Sequence, residues 1–223
     1  MDASPRDAGD PAADAGAPDA GAADLGAPDA ALPPVPPAPT LAELIRYTAG
    51  PTAQPLLPEG ADFDRRRGAF IVSSAATGTL SVVDADGRME VFIPGQRIGG
   101  GGTFGVEVDE ARDRLLVVAS NLMSPTVARL LAFSASTGAT IFSADLAALT
   151  PGPSFGNDVA VDADGTAYVT NSDQGVIYRV GLDGTPMVHF QDAAFAPADP
   201  ATENGFNGIV YHPDGYLLVA HSS

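Results

Sequence analysis

The sequence predicts an all-β chain built from repeated antiparallel units, and two observations lead to this prediction. One short pattern occurs four times: a polar or glycine-rich entry, alternating apolar residues, a tight turn and a second apolar run. The copies recur every 45 to 53 residues, which is the spacing of four-stranded propeller blades. We therefore expect a β-propeller whose blades each place their first strand along a central channel. The copies begin at Glu59, Phe104, Asn157 and Asn207.

The first and third copies have the elements of complete blades. After Pro58 the apolar residues alternate with a period of two, as in strands that bury one face. Phe63 then lies at the end of the first inner strand. The sequence Asp-Ala-Asp-Gly at residues 84–87 and 162–165 predicts hairpin turns. The other predicted strands of these two blades are residues 69–73, 78–83, 89–93, 167–170, 175–180 and 187–190.

The second copy has a longer insert, and the fourth copy has two strands. The strands expected here are residues 115–119, 129–133, 140–142, 207–211 and 216–220. An open ring of blades leaves sheet edges and apolar faces in water, so a propeller has to close. Three and a half blades do not close. We therefore expect the sequence to be a C-terminally truncated fragment of a longer propeller.

The first 40 residues differ sharply in composition from the rest. They are almost entirely Ala, Asp, Gly and Pro, which have no large side chains to bury and cannot offset the entropy lost on ordering. We expect a disordered, acidic linker at residues 1–40 and the partial propeller domain at residues 41–223. Residues 41–47 fit either a helical turn or an outer strand.

Charge and composition exclude several classes of partner. The net charge is −17, and acidic surfaces repel nucleic acid and anionic lipid headgroups. No run approaches the roughly 20 apolar residues that span a membrane, and the chain as given has no signal-peptide pattern. The absence of Cys excludes disulfides and thiolate metal sites. The linker composition is typical of exported proteins (periplasmic, cell-surface or secreted), with a lipid or surface tether upstream.

Three sets of residues together resemble the six-bladed propellers of the SMP-30/gluconolactonase/LRE-like (regucalcin-type) family. They are Pro58-Glu59-Gly60, the run from Gly156 to Thr170 that contains Asn157-Asp158, and Phe206-Asn207-Gly208-Ile209 followed by Pro213-Asp214-Gly215. The resemblance covers residues 57–223. It implies a divalent metal (Ca, Mg, Mn or Zn) in the channel and a small-molecule substrate such as a lactone.

The resemblance also implies roles for particular residues. Glu59 matches the carboxylate ligand of the first blade, and Asn207 matches the asparagine ligand. Asn157 matches a second asparagine that holds substrate or metal-bound water. The family's later aspartate, its proton-transfer group, would lie beyond Ser223, so no catalytic residue is assigned within the chain.

The residue types themselves favour the same chemistry. One carboxylate and amide carbonyls form an all-oxygen set, which suits Ca²⁺, Mg²⁺ or Mn²⁺. Such an ion polarises a lactone carbonyl and lowers the pKa of bound water. The alternative is that Glu59 and the two asparagines cap strand ends and bond to backbone. His221 ends a second strand near the channel mouth and is a further candidate for a substrate contact.

The other motifs lack residues that a known type of binding or catalytic site requires. The Asp-Ala-Asp-Gly segments lack the later ligands of a calcium loop, and the glycine run at residues 99–102 lacks the Lys-Ser/Thr of a phosphate loop. His189 is expected in an outer strand, and His212 beside a solvated turn. No Ser-His-Asp set with a recognisable context is present.

Three functional hypotheses follow. The first is a metal-dependent, lactonase-like hydrolase. The second is a non-catalytic extracellular propeller that acts as a binding or scaffold module. The third is a lyase of the streptogramin-lyase type, which would require a histidine in the channel.

Overall fold

The computed structural model describes residues 56–200 and 202–222. The predicted linker and residues 41–47 lie outside the described residues. Short 3-10 turns occur at Gly95–Arg97, Glu110–Arg112, Ala147–Leu149 and Ala193–Phe195. The strands are β1 (Ala61–Asp64), β2 (Ala69–Ser73), β3 (Leu80–Val83), β4 (Met89–Ile93), β5 (Gly102–Asp109), β6 (Arg114–Ser120), β7 (Ala128–Ser134), β8 (Thr140–Asp145), β9 (Gly156–Val161), β10 (Ala167–Asn171), β11 (Val176–Val180), β12 (Pro186–Gln191), β13 (Phe206–His212) and β14 (Tyr216–His221).

These strands form sheets that follow the chain without crossovers. Strands β1–β4, β5–β8 and β9–β12 make three four-stranded antiparallel sheets, and β13 pairs with β14 in a two-stranded sheet. Within the described residues this is three propeller blades and the first half of a fourth. The inner strands are β1, β5, β9 and β13. The predicted all-β propeller is confirmed, and the strand positions agree with the sequence pattern to within a few residues.

The core lies between neighbouring sheets. Strand β6 shows the principle, because every one of its residues is buried. Leu115 and Val117 pack toward the first blade, whereas Leu116 and Val118 pack toward the third. A strand covered on both faces has apolar residues in succession rather than in alternation. The fourth sheet packs on the third through the cluster of Ala160, Ile177, Phe206 and Ile209.

The hairpin turns predicted from Asp-Ala-Asp-Gly are confirmed. Asp84 accepts hydrogen bonds at 2.9 Å from the backbone N–H groups of Asp86 and Arg88. Gly87 and Gly165 have φ values of 75° and 90°, which glycine adopts without steric cost. Asp162 likewise accepts from Thr166 N–H at 2.8 Å, so the first aspartate of each segment stabilises the connection between two strands.

Two sheet faces are not covered by any other described sheet. On the first blade, Phe63 and Phe70 are exposed and form an edge-to-face pair with ring centroids 5.0 Å apart. On the fourth sheet, Val210 and Leu218 are paired across the strands and exposed. Within the described part of the chain, no helix has the length and apolar character needed to cross a membrane.

Candidate functional site in the channel

A cleft of about 910 Å³ opens where the inner strands begin. The starts of the four inner strands form its walls, together with the loop between β6 and β7 and the segments that precede β9 and β13. Glu59, Asn157 and Asn207 all line this cleft. The structure therefore brings together three predicted site residues that are far apart in sequence.

The hydrogen bonds around Asn157 fix the orientation of its amide. Ser172 Oγ donates to the backbone carbonyl of Phe206 at 2.7 Å. Because that proton is used, Ser172 Oγ acts as acceptor for Asn157 Nδ2 at 2.9 Å. The Nδ2 atom thus points to the protein, and the Oδ1 oxygen has no hydrogen-bond donor among the described residues. This leaves an amide oxygen available to a ligand.

Glu59 and Asn207 have side chains that are likewise available. Neither side chain forms a hydrogen bond within residues 56–200 and 202–222. The backbone of Asn207 is held in place, because its carbonyl accepts a hydrogen bond from Thr170 Oγ1 at 2.6 Å. Glu59 is exposed, and Asn207 is partly buried. The predicted capping of strand ends is therefore not what these two side chains do.

Two aspartates in the cleft join neighbouring blades. Asp62 Oδ2 accepts from Val108 N–H at 2.7 Å, and Asp158 Oδ2 accepts from Ile209 N–H at 3.0 Å. In each case a carboxylate on one inner strand bonds to the backbone of the next inner strand. Burial raises the pKa of Asp158, while the N–H groups of Ile209 and Val159 act in the opposite direction.

Glu107 is a titratable residue of the cleft that the sequence did not single out. Asp173, in the loop between β10 and β11, is another, and burial raises its pKa. Glu107 lines both the cleft and a second opening of about 500 Å³, which lies where the inner strands end. Burial, with added repulsion from Asp62, Asp158 and Asp109, raises the pKa of Glu107 to about 8. Its carboxyl group has no hydrogen-bond donor among the described residues. Glu107 occupies the same position in the second repeat as Asp62 in the first. That equivalence could have indicated that its carboxyl group lies in the channel.

The residues present fit a divalent cation in part. No group of three or more His, Cys, Asp and Glu side chains within the described residues could hold a metal ion. The set brought to the cleft is of another kind, one carboxylate and two amides. These oxygens suit a hard cation, and the available Oδ1 of Asn157 fits such a role. Water or substrate atoms would have to complete the coordination.

The structure does not bring His221 to this cleft. Its Nε2 lies 3.1 Å from the carbonyl oxygen of Phe195, and its ring packs edge-on against Phe195 and Phe206. His189 is in β12 against Tyr168, and His212 stacks on Tyr216. Within the described residues, no histidine lines the cleft.

Comparison with known proteins identifies the fold. No protein-family model matches the chain, and no curated protein matches it. Among solved structures, a chain of the nidogen/laminin complex superposes with a TM-score of 0.55 at 12% identity, covering 74% of this chain and 55% of that chain. The fold is that of a β-propeller.

Two enzymes are also among the similar structures. A gluconolactonase from Xanthomonas campestris has a TM-score of 0.54 at 14% identity, over 81% of this chain and 58% of that chain. A luciferin-regenerating enzyme has a TM-score of 0.50 at 14% identity, over 73% of this chain and 52% of that chain. The resemblance to gluconolactonase-type propellers is thus confirmed for the fold. The chain spans a little over half of the length of the structures that it matches.

Proposed function

We propose that the channel cleft is the site of a metal-dependent, lactonase-like hydrolase. The observation that carries the proposal is the convergence of Glu59, Asn157 and Asn207 on one cleft, with their side-chain oxygens unbound by protein donors. The presence of a gluconolactonase among proteins of the same fold supports this choice of chemistry.

In this proposal Glu59 and Asn207 hold a divalent cation, and Asn157 holds the substrate or a water molecule. A bound cation supplies electrophilic polarisation of the lactone carbonyl. The hydrogen bond from Asn157 Nδ2 to Ser172 keeps the amide oxygen directed away from Ser172. A fixed oxygen loses little freedom when a ligand binds, so this bond contributes to orientation.

Glu107 supplies the proton that hydrolysis requires. Water adds to the acyl carbon, the bond from that carbon to the ring oxygen breaks, and the leaving ring oxygen takes the proton of Glu107. The proton that the attacking water loses returns through solvent to Glu107. In the metal-free chain, Glu107 carries a proton below about pH 8 because its ionised form is buried beside Asp62 and Asp158. A carboxylic acid with such a pKa is suited to proton donation near neutral pH.

The proposal is tested with Glu59→Gln, which keeps the size of the side chain and removes its charge. We expect hydrolysis of lactones by the purified protein in the presence of Mn²⁺ or Ca²⁺, a loss of at least about tenfold in kcat/KM for the variant, and loss of activity with chelator. Glu90→Gln, at an exposed position on β4, is the matched control. Activity that survives both chelator and Glu59→Gln would refute the proposal.

The alternative is a non-catalytic propeller that binds another protein. The observation that favours it is the similarity to a chain of the nidogen/laminin complex, which is a protein–protein assembly with this fold. The same experiment separates the two functions. Absence of turnover for every lactone, with the metal bound and the chain folded, would favour the binding module.

A further inference from the structure

One side of the cleft is apolar, where the second and third blades meet. Phe104, at the start of β5, and Phe155, just before β9, pack edge-to-face with ring centroids 4.7 Å apart. Leu122 and Pro125, from the loop between β6 and β7, line the same cleft. We call these four residues, together with the adjacent Met123, the apolar lip.

The loop that contributes to the apolar lip is held by hydrogen bonds. Asn121 Oδ1 accepts from Met123 N–H at 3.0 Å, and the Asn121 carbonyl accepts from Ser124 N–H at 3.1 Å. The carbonyl of Pro125 accepts from Ser154 N–H at 2.7 Å, which ties the loop to the segment before β9. The backbone is therefore fixed next to Phe155.

This fixed loop nevertheless exposes its two largest apolar side chains. Leu122 is 62% exposed and Met123 is 92% exposed. Single exposed apolar residues are common on protein surfaces. Here two of them are consecutive: Leu122 lines the cleft together with Phe104 and Phe155, and Met123 follows it in the loop. Apolar and aromatic side chains of this kind line small-molecule pockets. Their apolar surface is available to be buried by a ligand.

We infer that the ligand of this cleft carries an alkyl substituent, which packs on the apolar lip while its polar ring lies near Glu59, Asn157 and Asn207. The inference takes the lactone ring of the ligand from the proposed function. It narrows the substrate class from lactones in general to lactones with an alkyl substituent. A hydroxyl group of a sugar lactone that was buried against the apolar lip would lose its hydrogen bonds to water, because the side chains of the apolar lip offer none in exchange. An alkyl-substituted lactone matches both parts of the cleft.

The first test measures binding without turnover. The probes are 2-methylcyclopentanone and 2-hexylcyclopentanone, which keep a ring carbonyl and cannot be hydrolysed. Isothermal titration calorimetry on the full chain gives the affinity of each. Complete burial of one methylene is worth about fourfold in affinity, so partial burial of five more is expected to give the hexyl probe at least about tenfold tighter binding. Equal affinities, or no binding of the hexyl probe, would overturn the inference.

The second test assigns the difference to the apolar lip. Leu122→Ser and Met123→Ser are each expected to reduce the ratio of hexyl to methyl affinity at least about threefold. The control is Leu182→Ser, an exposed leucine in the turn between β11 and β12 that does not line the cleft. That control is expected to keep the wild-type ratio. An unchanged ratio in both loop variants would show that the alkyl chain binds elsewhere.

A turnover measurement separates this inference from the proposed function. If the hexyl probe binds more tightly and no lactone is hydrolysed, the hydrolase proposal falls and the inference on the ligand stands. If glucono-δ-lactone is hydrolysed with a higher kcat/KM than γ-hexyl-γ-butyrolactone, the hydrolase proposal stands. The inference that the ligand carries an alkyl substituent then falls.

Discussion

Glu107 makes the stability of the protein depend on pH in a defined direction. Its pKa in the folded chain is about 8, above the ordinary value of 4.5. Between these values the folded state retains a proton that the unfolded state has released. The contribution of Glu107 to the free energy of unfolding is therefore largest below pH 4.5. It falls as the pH rises from 4.5 to 8 and is lost above that range. Each pKa unit corresponds to about 1.4 kcal/mol.

The variant Glu107→Gln should lose this dependence, because an amide cannot ionise in the cleft. We expect the variant to unfold at a higher urea concentration than the wild type at pH 9, by at least about 1 kcal/mol in unfolding free energy, and to differ little at pH 5. Urea titrations at the two pH values measure this. Parallel pH profiles for the wild type and Glu107→Gln would contradict the assignment, and Glu90→Gln should follow the wild type.

Ser172 is a positioning residue for Asn157, and its replacement should change both the free energy of unfolding and the affinity for Mn²⁺. Ser172→Ala removes the donor to the Phe206 carbonyl, and an unsatisfied buried group costs about 1–3 kcal/mol in unfolding free energy. It also frees the Asn157 amide, which in the proposed site holds a water molecule on the cation, so Mn²⁺ affinity should fall more than stability alone explains. Urea titration and calorimetry measure the two effects. Ser124→Ala, in an exposed loop, should change neither, and intact Mn²⁺ affinity in Ser172→Ala would exclude the positioning role.

At the scale of elements, the glycines of the inner strands allow neighbouring blades to approach closely. Gly60 leaves no room for a side chain, because a Cβ atom there would lie 2.5 Å from the carbonyl oxygen of Phe104. Gly105 faces the carboxylate and backbone of Asp158 in the same way. Gly208 occupies the equivalent position in the fourth sheet, where a Cβ atom would meet only Asp158 Oδ2, at an ordinary 3.7 Å.

Alanine at the equivalent positions Gly105 and Gly208 should therefore have very different effects on stability. Gly105→Ala forces the β5 and β9 strands apart and is expected to cost at least about 2 kcal/mol in unfolding free energy. Gly208→Ala is expected to stay within about 1 kcal/mol of the wild type, because it also relieves the entropy cost of glycine in a strand. Denaturant titrations of both variants provide the comparison. Equal destabilisation would show that strand spacing does not depend on the Gly105 contact.

The strands could be predicted from the sequence because their alternation depends on local residues. The predicted strands 69–73 and 89–93 coincide with β2 and β4. The location of Glu59, Asn157 and Asn207 along one cleft could also be predicted, since equivalent positions of a repeat meet at the channel. The pKa of Glu107 and the exposure of Leu122 could not, because both depend on neighbouring blades. His221 was assigned by its strand position, whereas its orientation depends on its packing against Phe195 and Phe206.

At the largest scale, the described residues include two sheet faces that no other described sheet covers, one on the first blade and one on the fourth sheet. Phe63 and Phe70 lie on the first, and Val210 and Leu218 lie on the last. Exposed apolar faces of sheets associate with one another. A net charge of −17 opposes this, because copies of the chain repel each other.

The balance between these two forces should depend on ionic strength. At 0.1 M salt, charges further apart than about 10 Å are screened, and at 1 M the distance falls to about 3 Å. We expect the apparent mass in sedimentation experiments to rise between low salt and 1 M salt, and Phe70→Ser to reduce the rise. A mass that is independent of salt would show that these faces do not associate.

The uncovered faces have a consequence for handling and storage of the protein. Copies of the chain are expected to associate more when salt screens their negative charge. Colloidal particles that are kept apart by their charge behave in the same way. Such a protein salts out early and precipitates as the pH approaches its isoelectric point, near 4.1. The acid that keeps Glu107 protonated therefore also removes the repulsion that keeps the copies apart. Low pH thus stabilises the fold through Glu107 and promotes association, whereas high pH keeps the copies apart and weakens the fold.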